Sequence, residues 1–230
     1  MPFLNIIDSN NIQSASKKKV ASFCLFHNPN KPRDYLSGVF VNRELMKKIY
    51  PDWTMRVYIK KDYPLEGIAQ IKKCKDIELI VVDTNTCFMA TRYLPFDDKD
   101  VSVWISRDLD SVVNYREAAA VKEWLISEYA MHIMSDHPHH KWIAAGGMIG
   151  VKNDQSLSFL ESWLELPISN GYTCDIRLAE KIFFNAYKNS YMQHHSAGKK
   201  LKNNYSFPKH EEIDCGFVGS TIHNMKNRMQ

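Results

Sequence analysis

The sequence has 230 residues, of which 44% are hydrophobic and 24% charged, and its formal net charge is +4. This composition is typical of a globular protein and excludes a disordered, collagen-like or coiled-coil chain. No apolar run approaches the ~20 residues that a membrane-spanning helix needs, so we expect no membrane span. The basic excess is small and concentrated near the end of the chain, which argues against a nucleic-acid partner.

The cysteines are odd in number and scattered, without a C-x-x-C pair. The apolar stretch near the N-terminus is too short for a signal-peptide core. We therefore expect a cytoplasmic protein with reduced thiols, most of them buried among apolar side chains. The five cysteines are Cys24, Cys74, Cys87, Cys174 and Cys215.

The first half of the chain alternates between strand-like and helical patterns. Residues 1–19 are polar and are predicted to form a loosely held N-terminal arm. The next elements are predicted in the order strand 20–26, helix 35–49, strand 54–59, short helix 65–73, strand 77–82, one or two helical turns at 87–93, and strand 101–106. This order predicts an α/β fold with a mostly parallel central sheet flanked by helices, in a single domain.

The rhythm changes after residue 111. Asn114 begins a predicted helix that runs to about residue 129, and residues 142–151 are strand-like although they contain Gly146 and Gly147. A helix that begins near Asp154 and ends at Pro167, and another over about 175–187, follow. Residues 195–230 have no clear periodicity, and no linker divides the chain.

Two aspartates follow the predicted strand 101–106 directly. Asp108 and Asp110 would point to the same side if the chain stays extended, because side chains of a strand alternate. In parallel sheets, ligands bind beyond the carboxyl ends of the strands, and two carboxylates there could hold Mg²⁺ or Mn²⁺ with a diphosphate. A second pair, Asp98 and Asp100, precedes the strand and would lie at the wrong end of the sheet. The alternative for Asp108 and Asp110 is a structural role at a turn or helix entry.

The segment 106–111, Ser-Arg-Asp-Leu-Asp-Ser, resembles the Asp-x-Asp signature of GT-A-fold glycosyltransferases. Over about residues 20–196 the chain is similar to small glycosyltransferase domains of bacteria and large DNA viruses, among them chlorovirus domains that transfer rhamnose to capsid glycans. The more specific part of the likeness lies after the aspartates and includes Arg116-Glu117, Glu123-Trp124-Leu125, Asp136-His137-Pro138-His139 and Ala145-Gly146-Gly147-Met148.

The resemblance implies transfer of a sugar from a nucleotide-diphosphate sugar, UDP more than GDP, to a hydroxyl of a glycan or glycoprotein. It implies Mn²⁺ or Mg²⁺ held by Asp108 and Asp110, which would neutralise the leaving diphosphate. Residues 20–111 would form the nucleotide-binding half and 112–196 the acceptor and sugar half, with the basic tail 197–230 packed on the domain. A viral protein of this kind would act in the host cytoplasm.

The same resemblance implies further residues of the donor site. The loop after the first strand would line the nucleotide pocket, Thr84 and Arg92 would reach the base or the phosphates, and Arg107 would contribute beside Asp108. The glycines would let the backbone approach the donor sugar closely. These further donor-site residues are Phe26, His27, Asn28, Thr84, Arg92, Arg107, Gly146 and Gly147.

Two positions depart from the family pattern. The family has Asp-Gln where this chain has Asp175-Ile176, so Asp175 is either a sugar-binding carboxylate or general base, or the N-cap of its helix. The family's His-Asp-Ser segment reads His194-His195-Ser196 here. His194 is either the third metal ligand or, with His195, an exposed polar residue.

Other functions are less favoured by the sequence. A sugar nucleotidyltransferase usually has a glycine-rich basic loop after its first strand, whereas residues 26–30 contain no glycine. A non-catalytic module that binds a nucleotide sugar is a further alternative. A zinc site among His132, His137, His139 and His140 is disfavoured because Pro138 breaks helical spacing. The sequence does not define an oligomeric state.

Overall fold

A computed structural model describes residues 2–12, 17–27, 34–154, 156–166, 171–210 and 216–221. Its centre is a nine-stranded sheet in the order β1-β4-β3-β2-β5-β7-β6-β8-β9. The strands are β1 (Leu4–Asn10), β2 (Lys18–Leu25), β3 (Trp53–Lys60), β4 (Ile77–Thr84), β5 (Val101–Ser106), β6 (Met131–Asp136), β7 (Ile149–Lys152), β8 (Tyr191–Ala197) and β9 (Asn204–Tyr205).

Parallel pairing predominates in this sheet. β1 runs antiparallel to β4, and β7 runs antiparallel to both β5 and β6, while the other pairs are parallel. The predicted α/β fold with a mostly parallel central sheet in one domain is confirmed. Among the described residues no helix is both long enough and apolar enough to cross a membrane.

Helices cover both faces of the sheet. One face packs against α1, α2 and α3 through a core that includes Phe23 and Trp124; the other packs against the remaining helices through Trp104 and Phe183. The helices are α1 (Tyr35–Ile49), α2 (Leu65–Lys72), a 3₁₀ helix (Phe88–Asp97), α3 (Tyr115–Ile126), α4 (Phe159–Glu165), α5 (Cys174–Ala179) and, after a π-helical turn (Glu180–Phe184), α6 (Asn185–Tyr187).

Local sequence explains the elements of the first half. Asp34 accepts a hydrogen bond from the Ser37 amide at the start of α1, and the helix ends just before Pro51. β4 is a nearly continuous apolar run because both of its faces are buried. These signals are local, so the predicted bounds of α1 and β5 agree with the structure.

The structure differs from the expectations where strands are polar or irregular. Within the N-terminal arm that was predicted to be loose, Leu4–Asn10 instead forms the edge strand β1 beside β4. β6 and β8 were not predicted because they carry polar side chains, such as His132 and His194, whose partners lie far away in the sequence. Of the strand predicted at 142–151, only its last part is in β7.

The expectation of reduced cysteines is wrong for one pair. Cys87, just before the 3₁₀ helix, forms a disulfide with Cys174 at the start of α5, and their Cα atoms are 5.9 Å apart. Disulfides persist mainly in oxidising compartments, so the thiol argument for a reducing compartment no longer holds. Cys24 is a buried free thiol whose pKa burial raises to about 12. Cys215 lies outside the described residues.

This disulfide should stabilise the fold because it closes a loop of 87 residues in the unfolded chain. We expect Cys87→Ser to lower the free energy of unfolding by about 2–4 kcal/mol, measured by urea denaturation. A reductant should destabilise the wild type by a similar amount and leave the variant unchanged. Cys74→Ser, at a free cysteine, is the matched control. Equal stability of oxidised and reduced wild type would contradict the prediction.

Candidate active site

Two adjoining cavities open at the carboxyl ends of β2, β4 and β5. The first has a volume of about 620 Å³ and is lined by Phe26, Tyr35, Phe88, Lys60 and the loop 84–86. The second, of about 540 Å³, is lined mainly by residues of 137–148, 172–176 and 217–221. Arg92, Asp108 and Asp110 line both cavities, so the pair predicted from the sequence lies where they meet.

A buried arginine organises this junction. Arg92, on the 3₁₀ helix, is only 4% exposed, and its guanidinium forms ion pairs with Asp108 and Asp175. Burial alone would lower the pKa of Arg92, but the two carboxylates outweigh it and raise that pKa above its usual value. Arg92 therefore stays charged and links the end of β5 to the start of α5.

The glycine pair allows these charged groups to pack against the backbone. A Cβ on Gly146 would overlap with Asp175 and Arg92, and one on Gly147 would overlap with Asp108. The turn is also fixed to β5, since Ser106 Oγ donates to the Gly146 carbonyl at 2.6 Å. Both glycines therefore leave the space that the carboxylates occupy. That they also let the backbone approach a donor sugar stays a prediction.

The loop that carries Asp108 and Asp110 is held by a buried amide. Asn42 on α1 donates to the Ser111 carbonyl at 2.8 Å and accepts from the Val113 amide at 2.9 Å. Sequence reasoning missed Asn42. The signal was a polar residue on the apolar face of α1, between Val39 and Met46.

Asp175 lies in the first turn of α5 and is not its N-cap. The cap position belongs to Thr173, whose φ of 80° is left-handed, a costly conformation for a β-branched residue. The disulfide at Cys174 holds the backbone at this point. Asp175 is therefore buried beside the second cavity, with its carboxylate on Arg92.

Of the residues predicted for the nucleotide side, Phe26, Thr84 and Arg92 line the first cavity. Phe26 stacks on Tyr35 and meets Phe88 edge-on, with ring centroids 6.3 and 5.8 Å apart. Thr84 lines the cavity beside them. His27 is exposed and does not line either cavity, and Asn28 lies outside the described residues.

Arg107 does not contribute to the cleft as expected. Its side chain is buried on the other side of β5, where Nε donates to Glu117 at 2.9 Å and Nη1 to the Ser106 carbonyl at 2.7 Å. Tyr50 also donates to Glu117, at 3.1 Å. Because side chains alternate along an extended segment, Arg107 and Asp108 point to opposite faces.

His194 is also not placed to be the third metal ligand. It is fully buried on β8, where its Nδ1 lies 2.8 Å from His132 Nε2, and it does not line either cavity. His132 in turn stacks on Trp124. The alternative, in which His194 and His195 are both exposed, does not hold either. Only His195 reaches the surface, where it is partly exposed.

The histidines that do reach the cleft belong to the loop 137–140. His137, His139 and His140 line the second cavity opposite the aspartates. His140 Nδ1 accepts from the Asp136 amide at 3.0 Å, and burial lowers the pKa of His140, which keeps its imidazole neutral. The aromatic residues Trp142, Tyr172 and Phe217 complete this cavity.

The junction suits a divalent cation held partly by a ligand. Asp108, Asp110, Asp175 and Arg92 together carry two net negative charges, and carboxylate oxygens are the ligands that Mg²⁺ and Mn²⁺ prefer. Over the part of the chain that the structure describes, no group of three or more histidine, cysteine or carboxylate side chains converges on one point. A metal here would need further oxygens from a bound phosphate or from water.

Comparisons with known proteins support the fold. A protein assigned as a glucose-1-phosphate thymidylyltransferase from Bacillus anthracis, in complex with a sucrose, superposes with a TM-score of 0.52 at 12% identity over 80% of this chain and 88% of that one. The 4-diphosphocytidyl-2C-methyl-D-erythritol synthase of Anaerococcus prevotii gives 0.50 at 13% identity over 78% and 87%. No protein-family model and no curated protein sequence matches the chain.

These superpositions show that the chain shares the Rossmann-like fold of both neighbours. At such low identity the likeness extends to the fold alone. The resemblance to Asp-x-Asp glycosyltransferases, and to viral ones in particular, therefore stays an expectation.

The close packing of Gly147 against Asp108 can be tested directly. Gly147→Ala should displace the Asp108 carboxylate and lower the affinity for Mn²⁺, measured by electron paramagnetic resonance, by about tenfold. Gly171→Ala is the matched control, because an added Cβ there has no atom within 4 Å. Unchanged Mn²⁺ affinity in a folded Gly147→Ala protein would contradict the prediction.

The buried histidine pair should make the fold sensitive to acid. Burial lowers the pKa of His194 to about 4 and that of His132 well below its usual value. The unfolded chain then binds more protons between pH values of about 6.5 and 4, so stability is full above this window and falls within it. We expect His194 alone to cost about 2 kcal/mol of stability between about pH 7 and pH 5, measured by urea denaturation, and His132 to add to this loss.

His194→Gln should flatten this dependence, because it removes one of the two buried imidazoles. His139→Gln, at an exposed histidine, should keep the wild-type dependence. An equal slope in wild type and His194→Gln would assign the acid sensitivity to other groups.

Proposed function

We propose that this protein is a metal-dependent transferase that uses a nucleotide-diphosphate sugar and transfers the sugar to a hydroxyl of a glycan. The observation that carries the proposal is the position of Asp108 and Asp110 between two cavities at the carboxyl edge of the sheet. Ligands of parallel α/β sheets bind at this edge. One cavity would hold the nucleotide and the other the acceptor.

The charge of the junction supports a cation shared with a diphosphate. Asp108 and Asp110 would hold Mn²⁺ or Mg²⁺, which neutralises the charge that develops on a leaving nucleotide diphosphate. A diphosphate without a cation would be repelled by the net negative charge of the four side chains at the junction. Arg92 is engaged with Asp108 and Asp175, so its proposed role is to fix these carboxylates and to lower the repulsion between them.

The first cavity offers chemistry suited to a nucleoside. The rings of Phe26, Tyr35 and Phe88 form an aromatic wall against which a base could stack, and Thr84 and Lys60 add polar groups. We favour UDP over GDP, as the resemblance implies. Phe26, Thr84 and Arg92 line this cavity, which supports their proposed roles in donor binding.

Asp175 is the proposed general base. Its carboxylate lies beside the second cavity, where it could accept the proton of the acceptor hydroxyl as that oxygen attacks the sugar C1. The bond between C1 and the phosphate oxygen would break, and the nucleoside diphosphate would leave. The ion pair with Arg92 would hold the carboxylate in position for this step.

A sugar nucleotidyltransferase is the second candidate, and the structural neighbours favour it. In that reaction the oxygen of a sugar phosphate attacks the α-phosphorus of a nucleoside triphosphate, and pyrophosphate leaves. The sequence disfavours this candidate because residues 26–30 lack the glycine-rich loop that such enzymes usually have. The two reactions break different bonds, so their products distinguish them.

Nucleotide binding tests the part common to both candidates. Calorimetric titration of UDP should show binding that requires Mn²⁺ and weakens by about tenfold or more in Asp108→Asn and Asp110→Asn. Asp100→Asn is the matched control, since it alters the Asp-x-Asp pair at the opposite end of β5. If folded wild type binds neither UDP nor GDP with Mn²⁺, the proposed function fails.

Phosphorus NMR then separates the two reactions. Incubation with UDP-sugars and glycosides should yield UDP together with a glycosylated acceptor, which indicates transfer of the sugar. Formation of pyrophosphate from UTP and a sugar 1-phosphate would instead establish the nucleotidyltransferase. Binding without either product would indicate a non-catalytic module.

A further inference from the structure

The second cavity has features that the proposed donor chemistry does not use. Trp142 is 45% exposed and Tyr172 is 83% exposed, although both line a concave site. Exposed apolar surface that lies in a groove and is rimmed by polar groups is typical of a ligand-binding site. The polar groups near these two rings include Asp175, the neutral His140 and the aspartates at the junction. Together these groups carry no net positive charge.

Part of the wall comes from the segment 216–221. In the segment 216–221, Phe217 packs against His137 with ring centroids 4.3 Å apart, and Gly219 lies so close to Met148 that a Cβ would overlap with it. Val218 is fully buried, and Ser111 pairs with Thr221 in an isolated β-bridge. This segment closes one side of the cavity.

One buried carboxylate fastens the segment. Asp136, at the end of β6, accepts from the Val218 amide at 2.8 Å and from both Nε and Nη2 of Arg116 at 2.8 Å each. It also accepts a hydrogen bond from Ser196. Asp136 thus joins α3, β8 and the segment 216–221, while the next residue, His137, lines the cavity.

From this arrangement we propose that the second cavity is a binding site for a neutral saccharide, in which Trp142 is the stacking surface and the C-terminal segment 216–221 is an essential wall positioned by Asp136. A pyranose ring has an apolar face that packs on an aromatic ring and hydroxyls that bond to carboxylates and imidazoles. An anionic ligand would meet the net negative charge of the junction. This inference rests on the proposed function and assigns the residues that bind its acceptor.

Saccharide binding can be measured separately from donor binding. The probes are methyl glycosides of common hexoses and deoxyhexoses, observed by saturation-transfer NMR with UDP and the diamagnetic cation Mg²⁺ present. We expect at least one glycoside to bind wild type, and Trp142→Ala and Phe217→Ala to weaken it by about tenfold with the UDP affinity unchanged. Tyr205→Ala is the matched control, because Tyr205 is a partly exposed aromatic residue that does not line this cavity.

The role of Asp136 has its own readout. Asp136→Asn should increase hydrogen exchange of residues 216–221 and weaken the same glycoside, again without loss of UDP. Asp76→Asn, which alters a surface ion pair with Arg43, should change neither quantity. Faster exchange of 216–221 with unchanged glycoside affinity would refute the segment as a wall of the site.

The outcomes separate this inference from the proposed function. Wild type that binds neither UDP nor GDP refutes the function and, with it, the acceptor role. Wild type that binds UDP but none of the glycosides overturns the saccharide site alone. Equal glycoside affinity in wild type, Trp142→Ala and Phe217→Ala also overturns the saccharide site alone.

Discussion

The charged cluster of Arg92, Asp108 and Asp175 is the constraint on which the rest of the site depends. A guanidinium almost removed from water is costly to bury unless carboxylates compensate it, and here two of them do. They come from separate parts of the chain, the end of β5 and the start of α5. The cluster therefore fixes the distance between the two halves of the fold at the point where the cavities meet.

Several unusual local features make sense once this cluster is recognised. Gly146 and Gly147 carry no side chain because the carboxylates and the guanidinium occupy that space. Thr173 adopts a left-handed conformation immediately before the turn that presents Asp175, and the neighbouring disulfide holds that turn to the start of the 3₁₀ helix. Backbone strain of this kind persists where surrounding contacts over-determine the geometry. The cross-link and the ion pair span the same two elements and support each other.

The sequence predicted what depends on local periodicity and missed what depends on distant partners. The strands and helices of residues 18–106 follow from alternating apolar patterns, and Asp108 and Asp110 could be located because they come directly after an apolar strand. β8 was not predicted because Gln193 and His194 are buried polar residues that bond to Leu201 and His132.

Arg107 and His194 were assigned to the site by resemblance, yet strand alternation turns Arg107 away from the cleft, and the hydrogen bond to His132 holds His194 in the core. The cysteine pairing joins positions that no local pattern connects.

The two cavities differ in how strongly the fold determines them. The first is built from the ends of adjacent parallel strands and the loops that follow them, which any protein with this sheet order must bring together. The second is built from the loop 137–148, the start of α5 and the segment 216–221, and the last of these depends on the hydrogen bond between Val218 and Asp136. Changes in these irregular segments could reshape the second cavity without disturbing the sheet. Proteins that share this sheet order can therefore keep the first cavity and differ in the second, so the second cavity is the part of the site that the fold leaves free to vary.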